Sequence, residues 1–415
     1  MYRIVQVKDV AELNIATYKK DEFPTNIQYL DTSSLKKNIV ENFQFLNINT
    51  DVIPSRAQRK IKKNTILYST VRPNQEHFGI FEKLLDNIVV STGFTTLDVI
   101  DDEINPKYLF YLLTQPHITE YLHTIATNSV SAYPSISPND LGNLKFRVPE
   151  LSTQQKIASV LSALDSKIEL NNRINAELEA MAKTLYDYWF VQFDFPDKNG
   201  KPYKTSSGKM VWNEELKREI PEGWEVRKIG KILKTSLGGT PSTKVKEYWE
   251  NGKISWLNSG EIANFPIIDS ELKITEAAIK NSATDLLPKG SVMLSITRHL
   301  RPSILGIDAC ANQSVIGILE KDDIKCYFLY PYLQNEIPRL MEMRSGAQQP
   351  HINKEIIDES FILLPNNETE ILKKYNAQVG HFYESIINKA FQNQKLTELR
   401  DWLLPMLMNG QVKVN

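Results

Sequence analysis

The clearest pattern of apolar and polar positions lies between residues 151 and 190. Positions in alternating steps of four and three, from Ile157 to Trp189, carry apolar side chains there, except for Asn171 and Asn175. This heptad spacing keeps one stripe of an α-helix facing a partner. It predicts a helix of about 36 residues, ~54 Å long, that starts at Ser152 or Thr153. So long an amphipathic helix needs a partner to bury its stripe.

A second heptad pattern runs from Tyr375 to Leu403 and repeats the first in order. We predict that the two helices pair antiparallel. The predicted pairing seam consists of Leu161, Leu164, Ile168, Asn175, Leu178 and Leu185 in the first helix and Val379, Phe382, Ile386, Asn393, Leu396 and Leu403 in the second.

Asparagine occupies seam positions where leucine would stabilise the pair better. A buried amide costs stability but rejects wrong registers, because only one alignment lets amides meet. Asn175 and Asn393 occupy equivalent positions, so they would face one another if they sit near the pseudo-dyad of an antiparallel pair. The alternative is that Asn171 and Asn175 face solvent or a docked partner, and the sequence leaves both interpretations open.

The segments before the two helices also match in order. YRIVQVKDV from Tyr2 resembles WEVRKIGKI from Trp224, and NTILYSTVR from Asn64 resembles GSVMLSITR from Gly290. Short β-rich runs and helical runs alternate in both segments. The sequence therefore predicts an α+β protein with an internal two-fold repeat, in which two mixed α/β domains are separated by two long antiparallel coiled-coil helices.

This repeat predicts a domain organisation with a connector before the second globular domain. The connector is rich in Gly, Ser, Lys and Pro, which favours a loose linker. An aromatic cluster of Trp189, Phe190, Phe193 and Phe195 could instead hold it against the helix end. The predicted boundaries are 1–150 for the first domain, 151–190 for the first helix, 191–223 for the connector, 224–367 for the second domain and 368–410 for the second helix.

Composition narrows the class of protein. The 415 residues are 41% hydrophobic and 24% charged with a net charge of −1, which is ordinary for a globular protein and not typical of a simple nucleic-acid binder. Cys310 and Cys326 give neither a disulfide framework nor metal-ligand spacing. Because we find no signal peptide and no apolar run of membrane-spanning length, we expect a cytoplasmic protein without a membrane partner.

The usual catalytic signatures are missing from the sequence. It has no GxxxxGK[ST], GxGxxG, HExxH or CxxC motif, and its six histidines lack ligand spacing. The pair Gly238-Gly239 opens GGTPSTK without a phosphate-loop continuation, and we interpret it as a flexible loop. No catalytic residue and no metal site is predicted, which favours a reader or a scaffold over an enzyme.

Several stretches resemble one known family, the DNA-specificity (S) subunits of type I restriction–modification systems. The stretch STQQKIASVLSALDSKIELNNRINAELEAMAKTLYDYWF resembles the central helix of that family. SSGKMVWNEELKREIPEGWEVRKIGKI and GGTPSTKVKEYWENGKISWLNSGEI resemble the entry to its second target-recognition domain, and LRDWLLPMLMNGQVKV its C-terminal helix end. The resemblance covers nearly the whole chain, but the first domain departs from it by lacking tryptophan and a GGTPST counterpart.

The resemblance implies a non-catalytic subunit that reads a bipartite, asymmetric DNA target through two target-recognition domains. It implies as partners double-stranded DNA, two adenine methyltransferase (M) subunits docked on the helices and, through them, a restriction (R) subunit. S-adenosylmethionine and ATP would be carried by those partner subunits and no cofactor by this chain. The rival classes are a helical scaffold that does not bind DNA and a nuclease with an unrecognised site.

Residues that contact DNA are predicted from side-chain type and loop position. Arginine follows the repeated β-run, polar loops precede both helices, and RAQRKIKK suits phosphates. That run could equally be a solvated loop, and Arg72 could form an ion pair within its domain. The candidates are Arg56, Lys60, Lys63, Arg72, Ser131, Tyr133, Arg298, His299, Arg301, Gln348, Gln349 and His351.

Overall fold

The chain forms two compact units in a computed structural model. Unit 1 comprises Met1–Glu169 and Lys395–Asn415, and unit 2 comprises Leu170–Gln394. The structure describes residues 2–19, 22–83, 86–128, 133–297, 299–344, 346, 351–365 and 368–414. Across these ranges, every helix is either too short or too polar to cross a bilayer.

Unit 1 is a mixed α/β structure. One four-stranded antiparallel sheet has the order β2-β11-β8-β9, and a second has the order β6-β3-β10-β7, in which β3 and β10 run parallel. Its strands are β1 (Arg3–Gln6), β2 (Ala11–Leu13), β3 (Asn26–Leu30), β4 (Leu35–Lys36), β5 (Ile39–Val40), β6 (Gln44–Asn47), β7 (Ala57–Arg59), β8 (Thr65–Ser69), β9 (Phe78–Phe81), β10 (Ile88–Ser91), β11 (Phe94–Val99) and β12 (Lys145–Val148).

The helices of unit 1 cover one face of the first sheet. Pro106–Leu113 and Pro116–Thr127 each begin with proline, which lacks the N–H that a first helical turn leaves unpaired. Val7–Val10 and Pro138–Gly142 are short, and Thr32–Ser34 and Pro73–Gln75 are 3₁₀ turns. The core includes Leu109 and Leu122 from the helices together with Leu161 and Leu407.

Unit 2 repeats this architecture. Its sheets have the orders β16-β22-β19-β20 and β18-β17-β21, and β17 and β21 again run parallel. Its strands are β13 (Met210–Asn213), β14 (Arg218–Pro221), β15 (Trp224–Lys228), β16 (Thr235–Leu237), β17 (Ile254–Leu257), β18 (Leu272–Ile274), β19 (Val292–Ser295), β20 (Arg301–Ile304), β21 (Ala309–Ala311), β22 (Val315–Ile318) and β23 (Phe361–Pro365). Its helices are Ile229–Ile232, Glu276–Lys280, Cys326–Glu342 and Lys354–Asp358, with 3₁₀ turns at Lys246–Tyr248 and Glu261–Ala263.

Equivalent hydrogen bonds confirm the internal repeat. β1 pairs antiparallel with β12 as β15 pairs with β23. The isolated bridge between Val71 and Ser135 recurs between Thr297 and His351. Because these contacts join segments far apart in sequence, their recurrence is a property of the fold and not of a shared local motif.

Two long helices complete the chain. The first runs from Leu151 to Tyr186 and continues into one π-helical turn, Asp187–Val191. The second runs from Glu368 to Met408. The predicted first helix extended to residue 190, and its last turn widens to the π form where Trp189 and Phe190 become buried.

Within unit 2 the two helices run antiparallel. The Asn171 side chain is fully buried, and its Nδ2 donates to Gln392 Oε1 (2.7 Å) and Asn393 Oδ1 (2.8 Å). The predicted pairing of Asn175 with Asn393 is wrong. The register places Asn171 opposite Asn393, so Asn175 lies one turn further along and donates to the backbone oxygen of Ile386 (3.4 Å).

The other seam residues lie at least partly buried. Leu161, Ile168, Val379 and Ile386 are buried, and Leu164, Leu178, Leu185, Phe382, Leu396 and Leu403 are half-buried. In unit 1 the pair also carries a charge contact, because Arg400 Nη1 lies 2.8 Å from Asp165 Oδ1 and Tyr111 donates its hydroxyl to the same carboxylate (2.6 Å). Burial in this contact, and the carboxylate of Asp165, raise the pKa of Tyr111.

The connector is folded, so the loose-linker interpretation is wrong. Its strands β13 and β14 form an antiparallel hairpin. Trp189, Phe190, Phe193 and Phe195 are all buried, and the ring of Phe195 stacks on Trp224 with centroids 5.1 Å apart. The aromatic side chains therefore fix the connector to the core of unit 2.

Candidate nucleic-acid interface

Strand pairing and backbone hydrogen bonds bring four segments of unit 1 together at one end of its first sheet. Ser69, the last residue of β8, pairs with Phe94, the first residue of β11, so the loop after β8 and the turn before β11 are neighbours. Thr92 in that turn donates its N–H to Arg56 O (2.8 Å). We call this end, with Arg56, Arg72, Thr92 and Tyr133, the unit 1 edge.

Arg72 is held at the unit 1 edge by its backbone. It has a left-handed conformation (φ 48°), precedes Pro73 and donates its N–H to Pro134 O (2.9 Å). Its guanidinium carbon lies 5.5 Å from the ring centroid of Tyr133, which is 63% exposed. Arg72 is exposed, and it makes no ion pair with any residue of the ranges described. This placement disfavours the domain-internal ion pair.

The basic run is divided by its strand. β7 begins beside the unit 1 edge and leads away from it, which places Lys60 and Lys63 elsewhere. Lys60 pairs with Glu22 (2.6 Å), and its hydrogen bond lowers the pKa of that carboxyl. Arg59 donates to Asn14 O (3.3 Å), and burial lowers the pKa of its guanidinium. Of the predicted phosphate contacts in this run, the structure brings only Arg56 to the edge.

Unit 2 has an equivalent end, which we call the unit 2 edge. Ser295 at the end of β19 pairs with both Arg301 and Val315, and Leu237 at the end of β16 pairs with Ile316. The segment that begins at Gly238, residues 296–297 and the turn 312–314 therefore lie side by side. His299, Arg301 and His351 are exposed there, and His351 bridges Thr297 through its backbone.

The glycine pair at the unit 2 edge is not a flexible loop, so that interpretation is wrong. A Cβ atom on Gly238 would lie 2.2 Å from the backbone oxygen of Asn312, and one on Gly239 would lie 2.7 Å from the backbone carbon of Ala283. Trp256 also donates its indole N–H to Gly239 O (3.0 Å). The segment is packed so closely that only glycine fits.

A cavity of about 320 Å³ lies beside this glycine segment. The rings of Trp249 and Trp256 meet edge to face at 5.1 Å and form one wall. Thr240, Thr243, Lys246, Glu250 and Leu272 line the rest.

Sequence reasoning missed Gln313 at the unit 2 edge. It is exposed, and its Oε1 accepts a hydrogen bond from the Thr240 hydroxyl. The available signal was its position in a polar tripeptide between two apolar runs, ACA and VIGI, which marks a turn. Four predicted contacts, Ser131, Arg298, Gln348 and Gln349, lie outside the described residues.

The two edges offer hydrogen bonds and positive charge. The thiols are buried, and burial raises the pKa of Cys310 to about 11 and that of Cys326 well above its usual value, so both stay protonated near neutral pH. Within the described part of the chain, no three His, Cys, Asp or Glu side chains are grouped as metal ligands would be. The exposed hydrogen-bonding and positively charged side chains of the two edges suit the recognition of phosphates and base edges.

The chain contains the same fold twice, and each copy carries one candidate binding surface. The two surfaces differ in their side chains, which defines a class of protein with two different binding sites. The family model described as "Type I restriction modification DNA specificity domain" matches residues 2–180 and again 221–399. The chain therefore belongs to the type I restriction–modification DNA specificity family.

Curated relatives agree with this assignment. The chain is 26% identical to the type I restriction enzyme HindI specificity subunit of Haemophilus influenzae, over 93% of this chain and 94% of that protein. It is 28% identical to the MjaIX specificity subunit of Methanocaldococcus jannaschii, over 99% of this chain and 93% of that protein. The crystal structure of a type I S subunit from M. genitalium has a TM-score of 0.57 at 16% identity, over 98% of this chain and 96% of that one, which shows a shared fold.

Proposed function

We propose that this chain reads a bipartite, asymmetric DNA target through two target-recognition domains, residues 1–150 and 224–367. The two long helices would form an antiparallel coiled coil that separates the domains. Two adenine methyltransferase (M) subunits would dock on these helices, and a restriction (R) subunit would join through them. Family membership and the recurrence of one sheet edge in both units support this proposal.

The observation that carries the proposal is the difference between two equivalent edges. The unit 1 edge presents Arg56 and an arginine stacked on Tyr133. The unit 2 edge presents the amide of Gln313 together with His299, Arg301 and His351. Arginine forks pair with guanine and amides pair with adenine in the major groove. Edges with the same strand pairing and different side chains should read different half-sites.

The chain would contribute recognition and no catalysis of its own. S-adenosylmethionine and ATP would be bound by the partner subunits. The net charge of −1 supports a division of labour in which the methyltransferase supplies much of the phosphate contact. The protein would act in the cytoplasm, where such partners and DNA are present.

Methylome sequencing tests this function. A host that lacks other adenine methylation would express the chain with its cognate methyltransferase, and a matched host would express the methyltransferase alone. We expect one bipartite motif, with adenine methylated in both halves, only when the chain is present. Methylation without a bipartite motif, or the same motif without the chain, would contradict the proposal. Metal-dependent cleavage of DNA by the purified chain would favour a nuclease instead.

A further inference from the structure

Gln313 is held in a rigid turn at the centre of the unit 2 edge. Asn312 Oδ1 accepts from the N–H of Ser314 (3.0 Å), and the N–H of Asn312 donates to Leu257 O (2.9 Å). Ser314 O accepts from the N–H of Ile296 (3.0 Å), which ties the turn to the loop that carries His299. The backbone under this exposed glutamine is therefore fixed on both sides.

The glycine segment orients the Gln313 side chain. Gly239 donates its N–H to Ala311 O (2.8 Å), and Gly238 donates to Val315 O (3.0 Å), so the segment lies along the turn. This close approach brings the Thr240 hydroxyl to Gln313 Oε1, to which it donates. A Cβ atom on Gly238 would clash with the backbone of Asn312, and one on Gly239 would clash with that of Ala283, so only glycine permits this approach.

The remaining hydrogen-bonding capacity of this amide fits one base. Gln313 Oε1 keeps a second lone pair, and Nε2 donates no hydrogen bond to the residues described in the structure. In the major groove adenine presents an N6 donor beside an N7 acceptor, which a glutamine amide matches with two bonds. Pre-orientation by Thr240 removes rotamer freedom that binding would otherwise have to remove.

We propose that Gln313, oriented by Thr240, reads an adenine that stays stacked in the duplex, in the half-site recognised by residues 224–367. This inference rests on the function proposed above. The equivalent turn in unit 1 is Thr92-Gly93, which has no amide side chain. Recognition of adenine by this turn is therefore specific to the half-site bound by unit 2. Gln313 is thus a specificity-determining residue.

Variants of Gln313 and Thr240 test the inference in the same methylome assay, with the full chain and its methyltransferase. Gln313→Ala should leave the first half-site intact and reduce discrimination for adenine at one position of the second by about 5- to 150-fold. Gln313→Glu should shift the preference there to cytosine, whose N4 donates to a carboxylate. Thr240→Val should weaken discrimination at that position without changing the preferred base.

The matched control is Gln192→Ala, which removes an exposed amide of unit 2 in the turn after the first long helix. It should leave the whole motif unchanged. An unchanged motif for Gln313→Ala would overturn the inference, as would a change confined to a position that is not adenine. Retention of the first half-site shows that each variant folds and assembles. A wild-type chain that gives no bipartite motif contradicts the proposed function itself, and this result is distinct from a failure of the Gln313 assignment alone.

Discussion

Arg72 shows how a single residue can be prepared for recognition by its neighbours. The Arg72 backbone is fixed by its left-handed conformation, by the following proline and by the hydrogen bond to Pro134 O. The direction in which the side chain leaves the backbone is therefore fixed as well. The guanidinium carbon then lies over the Tyr133 ring, 5.5 Å from its centroid. Lysine has the same charge but neither the plane nor the fork of donors. The identity of this cation should therefore affect specificity more than affinity.

We predict that Arg72→Lys relaxes recognition at one base pair of the first half-site by about 5- to 150-fold. The salt dependence of binding should change little, because the charge is kept. The measurement is competition binding of the chain–methyltransferase complex to duplexes that each carry one substituted base pair.

Unit 1 offers a matched control for this substitution. The guanidinium of Arg147 lies 4.3 Å from the ring centroid of Tyr2, beside the end of the fold where Arg3 pairs with Asp101 just after β11. This is the end of β11 opposite the unit 1 edge, so Arg147→Lys should leave recognition unchanged. Equal effects of the two substitutions would rule out a special role for Arg72.

At the scale of the helices, we expect the buried amide of Asn171 to select one pairing register at a cost in stability. Its Nδ2 serves both Gln392 and Asn393, yet its Oδ1 is buried without a hydrogen-bond partner among the described residues. A leucine pair would bury more apolar surface but would tolerate a shift of one heptad. A shift of that size moves one helix by ~10 Å along the other.

We predict that Asn171→Leu lowers the free energy of unfolding of unit 2 by about 1–3 kcal/mol, since Gln392 and Asn393 lose a shared donor. The double variant with Asn393→Leu should recover part of that loss. Urea unfolding followed by tryptophan fluorescence measures the stability of unit 2, because five of the six tryptophans belong to unit 2 and only Trp402 to unit 1.

The control for this prediction is Asn388→Leu, which places the same substitution at an exposed position of the second helix. Its effect should stay within about 0.5 kcal/mol of the wild type. If Asn171→Leu unfolds at the wild-type urea midpoint, the buried amide does not stabilise the pair.

For the whole molecule, the sequence predicts the repeat, both long helices and the family. Heptad spacing and matched segments can be recognised without knowing which residues are in contact. The sequence does not predict contacts that depend on register or on backbone proximity. Equivalence in the repeat pairs Asn175 with Asn393, but the register of the folded helices places Asn171 opposite Asn393 instead. The packing of Gly238 and the position of Gln313 depend on strands that meet only after folding.

We predict that exchanging residues 1–150 for the same domain of another family member rewrites only one half of the methylation motif. Gln154, which the host chain keeps, bonds to the backbone of Asn105, Glu103 and Pro149. Because these partners are backbone atoms, a foreign domain of the same fold can supply them. Methylome sequencing of the chimera is the measurement, and loss of both halves together would contradict two independent readers.

The buried aromatic connector also limits where related genes can recombine. Phe190, Phe193 and Phe195 all pack their rings against Trp224, although they precede it by a hairpin. A crossover between residues 196 and 223 would join an aromatic cluster from one parent to a tryptophan site from another. A crossover upstream of Asp187 transfers the cluster and its site together. Functional recombinants that exchange the second target-recognition domain should therefore have their crossover points within the first long helix.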